Sequence, residues 1–264
     1  MGLSNAMFTA VTGLSAFGNA LSVVSDNVAN SNTTGYKTSS ALFGDMVSGY
    51  LATQSTDVES AGAGTELLGI ASDFSTGSTV QTGTWSNVMI QGNGFFQVQN
   101  TAGVDYYTRD GSFRVDSTGA LTNMQGDSVI GSDGNPIQIE ADPTTPVYTN
   151  YSIDKTGGIY GTLPGNGGQT LIATLRVSTF PNPQGLVRDG GNLYYPGPSA
   201  GAAVDGTAGT GQNGQITSEA VEGSNVDLAT QMVNMIMYQS DYSANSKSIS
   251  TANNMMDAIL NLIR

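Results

Sequence analysis

The chain of 264 residues contains neither cysteine nor histidine. It therefore offers no disulfide, no thiolate nucleophile, no imidazole base and none of the common ligands of a structural zinc site. Serine chemistry would need a lysine base, and the three lysines, at positions 37, 155 and 247, stand in no recognisable context for one. Acidic pairs such as Asp105 and Asp110 arise by chance among 21 acidic residues. We expect no enzymatic activity, no cofactor and no bound metal.

Positive charge is also scarce, because 8 basic residues stand against 21 acidic ones and the net charge is −13. A strongly acidic chain is repelled by polyanions, so neither nucleic acid nor an anionic membrane is an expected partner. The acidic residues are concentrated in the middle of the chain, where residues 45–223 hold 17 of them and only 5 basic residues. This middle part is predicted to face solvent.

Long apolar runs are missing as well, since no run approaches the ~18 continuous apolar residues of a membrane helix. Residues 1–25 carry no side-chain charge, but polar residues interrupt them and the first basic residue is Lys37. A secretory signal needs a basic start and an unbroken apolar segment. We therefore expect neither membrane insertion nor a cleaved signal peptide.

Glycine and proline are frequent in the chain, with 35 and 8 copies, yet Ser224 to Arg264 contains neither. Apolar residues recur there every seven positions from Leu228 to Ile263, which predicts one amphipathic helix roughly 60 Å long. Ser224 or Asn225 is the expected N-cap, with Asp227 in the first turn, where its charge favours the helix dipole.

A second long amphipathic helix is predicted from Leu3 to Asn30, where apolar residues again recur at helical spacing. Gly13 and Gly18 lower its intrinsic stability by ~1 kcal/mol each relative to alanine. Two long helices at opposite ends of one chain are natural partners. We expect them to pair as an antiparallel coiled coil.

Between the helices the pattern changes to short β-strands separated by glycines, which predicts a compact antiparallel β domain. Gly92 to Phe96 lacks the lysine and the following helix of a phosphate-binding loop and is interpreted as a tight turn. The predicted fold class is α+β. The predicted domains are a helix over 1–32, an extended connector over 33–72, a β domain over 73–215 and a second helix over 216–264.

Three segments of the chain carry recognisable motifs: Ser25 to Asn30 followed by Thr34 to Lys37, then Ile90 to Val98, and finally Ser224 to Asp227. Together they resemble bacterial flagellar rod and hook proteins. The first segment is similar to the family's Asn-Asn-Ile-Ala-Asn and Thr-x-Gly-Tyr/Phe-Lys, with departures at Asp26 and Val28. Ile90 to Val98 resembles the family's central β motif, and the start of the last helix resembles its Ser-Asn-Val-Asp. The residues that carry the resemblance are Asn27, Ala29, Asn30, Gly35, Tyr36, Lys37, Gly92, Asn93, Gly94, Phe95, Phe96, Ser224, Asn225, Val226 and Asp227.

The resemblance implies a structural subunit that polymerises into the hollow axial filament of the flagellum. Its implied partners are copies of itself, adjoining axial and junction proteins, and the flagellar type III export apparatus. In such a tube the helices would line the inner wall and the β domain would form the outer shell. The subunit-interface residues predicted on the helices are Met7, Leu14, Leu21, Val28, Leu228, Met235, Tyr242, Ile249, Met256 and Ile263.

Within the family, the first choice is the hook, a flexible joint outside the cell that transmits motor torque and passes export substrates. The segments Met7 to Leu14 and Asn261 to Arg264 favour it. The short chain equally suits the distal rod, a rigid drive shaft of the basal body in the periplasm. A soluble extracellular binding module, such as an adhesin domain, is the third alternative. It is disfavoured because a monomer has no need of two long exposed apolar stripes.

Overall fold

The computed structural model describes residues 2–47, 62–139, 148, 150–163 and 168–262. The described chain is α+β, with a helix near each end and antiparallel strands between them, as predicted. It divides into two compact units. Unit 1 comprises Met1–Ser31, Thr38–Asp73 and Val226–Arg264, and unit 2 comprises Asn32–Lys37 and Phe74–Asn225. Because each unit is assembled from separated segments, the chain passes from one unit to the other four times.

Unit 1 contains both helices, α1 (Gly2–Ala29) and α2 (Leu228–Leu262), and the antiparallel strands β1 (Ser39–Val47) and β2 (Gly62–Ser72). The two strands lie inside residues 33–72, where a connector was expected. They pair over their whole described length and pack against α1. Over Asn5–Ala29, α1 is long and apolar enough to cross a membrane, a criterion that packed core helices and signal sequences also meet.

The two helices run antiparallel and pack against each other. Asn27, late in α1, bonds with Gln231, early in α2, whereas Gly13 lies against Asn245 further along α2. A Cβ atom at Gly13 would lie 2.9 Å from the Asn245 Oδ1 atom, so this glycine permits the close approach. The mutual packing of the helices is observed. The knobs-into-holes geometry of a coiled coil remains a prediction.

The buried face of α1 is built from small side chains rather than from the large apolar ones. Its buried residues recur every three or four positions and are Ala10, Gly13, Ala16, Ala20, Val23, Val24 and Asn27. Small residues bring helix axes close together, and larger groups then pack at the flanks. At one flank the rings of Phe17, Phe43 and Tyr238 meet with centroids 5.6–6.1 Å apart and join α1, β1 and α2.

Helix α2 begins at Leu228, later than the predicted N-cap at Ser224 or Asn225 requires. The capping residue is Asp227: its Oδ1 accepts a bond from the Ala229 N–H, and its Oδ2 accepts one from the Thr230 hydroxyl. These bonds satisfy an orphan donor of the first turn and hold the pKa of the Asp227 carboxyl below its ordinary value. The beginning of the predicted range 216–264 is strand rather than helix.

Unit 2 is built from short antiparallel strands. In chain order they are β3 (Thr79–Gln81), β4 (Val88–Gln91), β5 (Phe95–Gln99), β6 (Asp105–Thr108), β7 (Arg114–Val115), β8 (Leu121–Thr122), β9 (Ser128–Val129), β10 (Asn150–Ile153), β11 (Gly158–Thr162), β12 (Gln169–Thr174), β13 (Arg176–Thr179), β14 (Leu186–Gly190), β15 (Leu193–Pro196), β16 (Val204–Thr207), β17 (Gln215–Ser218) and β18 (Ala220–Glu222). A 3-10 turn, Pro183–Gly185, precedes β14.

The largest sheet has the order β14-β15-β6-β5-β9-β8-β7, and β13 joins it by pairing with both β5 and β16. Strands β10, β11 and β12 form a separate sheet, and β17 and β18 pair with β4 and β3. Successive side chains of a strand point to opposite faces, and Phe95 and Phe96 of β5 are both buried, so both faces of this strand are covered. Phe96 joins the main apolar core, and its neighbour Phe95 joins a second cluster with Phe180 and Tyr194.

Candidate subunit interface

The predicted stripe on α2 is divided between two environments. Tyr242 lies against Gly18 of α1, and Met235 and Ile249 are half-buried. Leu228, Tyr242 and Met256 are exposed, and Ile263 lies outside the described residues. The row that faces α1 has the same seven-residue spacing but a different phase, and it consists of Gln231, Tyr238, Asn245 and Ala252. The predicted stripe and this packed row are therefore neighbouring rows on α2, and the role of the stripe in contacts between subunits remains a prediction.

The predicted residues of α1, namely Met7, Leu14, Leu21 and Val28, are all half-buried and flank the row of small residues. Phe8 and Val11 of the same helix are exposed. The stripe on α1 is thus partly covered within the chain. Its role in contacts between subunits remains a prediction.

A broad apolar surface of α2 stays uncovered within the described chain. The side chains of Val233 and Ile236 are 64% and 67% exposed. The exposed large apolar residues of α2 are Leu228, Met232, Val233, Ile236, Met237, Tyr242, Met255, Met256, Ile259 and Leu260. Single exposed apolar residues are ordinary, but the two groups at 228–242 and 255–260 expose more apolar surface than one helix needs, which is typical of a surface that another chain covers.

The paired strands of unit 1 add to this exposed apolar surface. Four large apolar residues of β1 and β2 are well exposed, namely Leu42, Val47, Leu68 and Ile70, and Phe43 is 36% exposed. Unit 1 is therefore packed internally where the rings of Phe17, Phe43 and Tyr238 meet, whereas the other apolar side chains of β1 and β2 named here are exposed. We name the exposed apolar residues of α1, α2, β1 and β2 together the assembly surface.

Asn27 is the buried polar centre of unit 1. Its Nδ2 donates to the Ser39 carbonyl at 2.7 Å and to the Gln231 Oε1 at 3.1 Å, and its Oδ1 accepts from the Ser39 N–H at 2.9 Å. One side chain thus ties α1 to β1 and α2. Asn30, in the same motif, instead bonds to the carbonyl and carboxylate of Asp26 at the end of α1, close to Ala29. Asn27 is therefore a structural crosslink of unit 1.

Lys37 is the buried polar centre of unit 2. Its ammonium donates to the Glu222 Oε1 and to the Ser75 carbonyl, both at 2.6 Å, and neither Lys37 nor Glu222 is exposed. The same carboxylate accepts the Gly77 N–H at 2.7 Å and lies 3.4 Å from Arg109. Burial lowers the pKa of the Arg109 guanidinium, and Glu222 opposes that effect. The sequence contained no signal for this pairing, because Lys37 and Glu222 are 185 positions apart.

Gly35 and Tyr36 hold the neighbouring turn of unit 2 in place. Gly35 adopts a φ of +68°, and a Cβ atom there would lie 2.6 Å from the Asp110 backbone nitrogen. Glycine is therefore required for both conformation and space. The Gly35 N–H donates to the Glu222 carbonyl at 2.7 Å, and the Arg188 guanidinium lies 4.8 Å from the centre of the buried Tyr36 ring.

The remaining motif residues lie in turns and in the segment before α2. Gly92 and Gly94 both have positive φ values and, with Asn93, connect β4 to β5. This agrees with the predicted tight turn. Asn225 donates to the carbonyl and hydroxyl of Ser75, whereas Ser224 and Val226 are half-buried beside it. The residues of the family motifs thus lie in both units, where they form buried contacts and turns.

Comparison with known proteins assigns the three parts of the chain consistently. Residues 7–37 match the family described as flagella basal body rod protein. Residues 89–161 match the flagellar hook protein FlgE/F/G D1 domain, and residues 217–262 match the flagellar basal body rod FlgEFG protein C-terminal family.

Full-length relatives agree with these matches. The flagellar basal-body rod protein FlgG of Buchnera aphidicola subsp. Schizaphis graminum is 34% identical over 260 residues, which cover 95% of this chain and 96% of the relative. The chain belongs to the flagellar rod and hook protein family. FlgG of Bacillus subtilis is 32% identical over 267 residues, with 98% of both chains covered. The hook protein FlgE of Escherichia coli is 26% identical over 405 aligned positions, which cover 96% of this chain and 98% of the relative.

Membership gives the molecule its general role. It is a structural protein of the bacterial flagellar axis, from a family of rod and hook subunits, and the resemblance noted in its motifs is confirmed. The motif residues that carry this resemblance form internal crosslinks and turns. The assembly surface is built mostly from other residues.

Proposed function

We propose that this protein is a subunit of the flagellar rod, most specifically of its distal part, rather than of the hook. The observation that supports this proposal is how the length of this chain compares with the lengths of its rod and hook relatives. Rod relatives align over 260–267 positions with 95–98% of this chain covered, so the two proteins match nearly end to end. The hook alignment needs 405 positions, well beyond the 264 residues present, so that relative carries a long segment that this chain lacks. Identity to the rod relatives is also higher. The hook, which the segments Met7 to Leu14 and Asn261 to Arg264 favour, lacks this support.

The proposed action is polymerisation of copies into a hollow, stiff tube. The assembly surface of one copy packs against a different surface of the next, and such head-to-tail contacts generate a helical filament when they do not close into a ring. Complete burial of a fully exposed large apolar side chain contributes about 1.5–3 kcal/mol, and these half-exposed side chains contribute less each, so many of them are needed to offset the loss of subunit freedom on association. The exposed residues of α2 supply ten such side chains.

The remaining parts of the proposal concern position and partners. The helices line the inner wall of the tube, and the acidic β region forms its outer shell. The subunit reaches its place through the flagellar type III export apparatus without signal cleavage and contacts adjoining axial and junction proteins. The polar residues of α2, among them Ser243, Ser246 and Ser250, are exposed and suit a surface that does not bind passing export substrates.

Location in the cell tests the rod assignment. The protein carrying a small epitope on an exposed turn of unit 2, at Gly103, is expressed in place of the native copy, and purified basal bodies with attached hooks are labelled with gold. A rod subunit gives no label on the external curved segment and appears in basal bodies that lack hooks. Label along the external curved segment would show a hook subunit and overturn the proposal.

A further inference from the structure

Methionine is concentrated in α2, where much of the assembly surface lies. Five of the ten methionines of the chain are in this helix. Met235 is half-buried, and the other four are 46–49% exposed. We call these four the exposed methionines of α2: Met232, Met237, Met255 and Met256. All four belong to the assembly surface, which therefore presents accessible thioether groups to solvent in the free chain.

Two methionines of unit 2 serve as internal references for accessibility. Met89 of β4 is only 2% exposed. Met124, which follows β8, is 63% exposed and lies outside the assembly surface. In their access to solvent, the exposed methionines of α2 therefore resemble Met124 and differ from Met89.

An accessible thioether reacts with peroxides because its sulfur is polarisable and nucleophilic. The sulfur lone pair attacks one oxygen of hydrogen peroxide, the O–O bond breaks and an S–O bond forms. The leaving hydroxide takes up the proton of the transferred oxygen and departs as water. Sulfur thus loses two electrons and the peroxide gains them. Because the chain has no cysteine, no thiol of its own competes for the oxidant.

Oxidation changes the chemistry of the α2 part of the assembly surface. Methionine sulfoxide is polar, and its oxygen is an acceptor that needs a donor when it becomes buried. Val233 and Ile236, the exposed apolar neighbours of the first two methionines, have no side-chain donor. A contact that buried a sulfoxide among such side chains would leave its oxygen without a partner and would be weakened.

We propose that the exposed methionines of α2 form a reversible oxidation site: Met232, Met237, Met255 and Met256. A peroxide converts them to sulfoxides in the free subunit, and the oxidised subunit does not polymerise. The reactivity of the four thioethers follows from their exposure alone, whereas the effect on polymerisation rests on the proposed function. Contacts between joined subunits cover the four thioethers, so the site responds to peroxide before assembly and is protected after it.

Oxidation of the unassembled full chain by dilute hydrogen peroxide tests the site itself. Peptide mass spectrometry over time gives the fraction of sulfoxide at each methionine, and circular dichroism checks that the chain stays folded. We expect the exposed methionines of α2 to react at rates close to that of Met124 and about tenfold or more faster than Met89, since reactivity follows exposure. Reaction of Met89 as fast as the α2 residues would overturn the proposal.

Polymerisation before and after peroxide treatment tests the consequence. The critical concentration of the unsubstituted chain should rise about tenfold or more on oxidation. Changing all four exposed methionines of α2 to leucine removes the sulfur atoms at similar volume, so peroxide should leave the critical concentration of this variant at its own untreated value. Met124→Leu is the matched control and should keep the full response to peroxide. Equal responses of the two variants would overturn the proposal.

Reduction and assembly provide two further checks. Methionine sulfoxide reductases of both epimer classes should restore polymerisation of the oxidised chain, and a lasting loss would place the damage at other residues. In the polymer, the four methionines should be protected while Met124 stays reactive, and equal reactivity would contradict the proposal. Failure of the untreated chain to polymerise would count against the rod assignment and the effect on assembly together, whereas the oxidation map of the free chain would still decide whether the site exists.

Discussion

Glu222 shows how much of unit 2 converges on one carboxylate. It accepts bonds from Lys37 and Gly77 and lies next to Arg109, which brings together residues from three separated parts of the chain. Buried ion pairs contribute little net stability over an apolar replacement, but removing one partner leaves the other charge uncompensated. The cluster therefore makes correct association of these three segments a condition for a stable fold.

Glu222→Gln should lower the free energy of unfolding by about 3–5 kcal/mol, because Lys37 and Arg109 lose the negative charge they share. Urea unfolding is followed by the fluorescence of Trp85, the single tryptophan, which stacks on Tyr151 at 4.6 Å within unit 2.

Asp205→Asn is the matched control, because the Arg176–Asp205 pair is partly exposed, at 17% and 42%. A partly exposed pair of this kind contributes at most about 1 kcal/mol. Equal effects of the two substitutions would show that burial of Glu222 does not matter.

Asn27→Ala should destabilise unit 1 by about 1–3 kcal/mol, because the backbone of Ser39 and the amide of Gln231 lose buried partners. Thermal unfolding followed by helical circular dichroism measures this change. Asn30→Ala is the control, because the two bonds that the Asn30 side chain donates to Asp26 lie at the exposed end of α1 and cross to no other element. A smaller effect at Asn27 than at Asn30 would contradict the crosslinking role.

At the scale of elements, the start of α2 should respond to acid. The pKa of Asp227 is lowered chiefly by its bond from the Thr230 hydroxyl, so the carboxylate form is favoured in the folded chain. Its stabilisation is therefore present above the ordinary aspartate pKa of about 3.9 and is lost as the pH falls through the lower folded value.

Amide exchange at Ala229 and Thr230 checks this expectation, because the first turn should lose protection below about pH 4. Asp227→Asn keeps a capping oxygen but cannot titrate, so its protection should not change over that range. An identical acid response in the variant would place the titrating group elsewhere.

The α2 residues of the assembly surface should govern polymerisation rather than folding. Ile236→Asp places a charge at a 67% exposed apolar position, so it should raise the critical concentration for polymerisation at least tenfold and leave the melting temperature unchanged. Ile249→Asp, half-buried in the monomer, should instead lower the melting temperature. Sedimentation and circular dichroism separate the two effects. If Ile236→Asp lowered the melting temperature as much as Ile249→Asp does, Ile236 would be packed within the chain.

The elements differ in how far the sequence could predict them. The helices follow from local periodicity, which needs no knowledge of distant residues. The β1 and β2 strands were missed because residues 38–72 are rich in small polar residues and lack a clear alternation, so their pairing and their packing on α1 decide the structure. The row of α2 that packs on α1 could not be found from apolar spacing, because the polar residues Gln231 and Asn245 occupy it. The family motifs were recognised, but the Glu222 cluster depends on distant contacts that spacing cannot show.

At the scale of the molecule, the two units should be separable. A chain that ends at Asn225 lacks α2 but retains all segments of unit 2. It should keep the Trp85 emission and its cooperative unfolding while failing to form a polymer in a sedimentation assay. Loss of the native Trp85 signal would show that unit 2 depends on α2 for its fold, and polymer formation by the truncated chain would exclude α2 from the assembly surface.

The alternation of the chain between the units has a consequence for the timing of growth. Unit 1 needs both Met1–Ser31 and Val226–Arg264, and the Asn27–Gln231 bond closes a loop of 204 positions. In the proposed polymer, a chain that reached the growing tip from one end would complete this unit only after its other end had arrived. A subunit that lacked either end would then be unable to fold unit 1 and would not join the polymer.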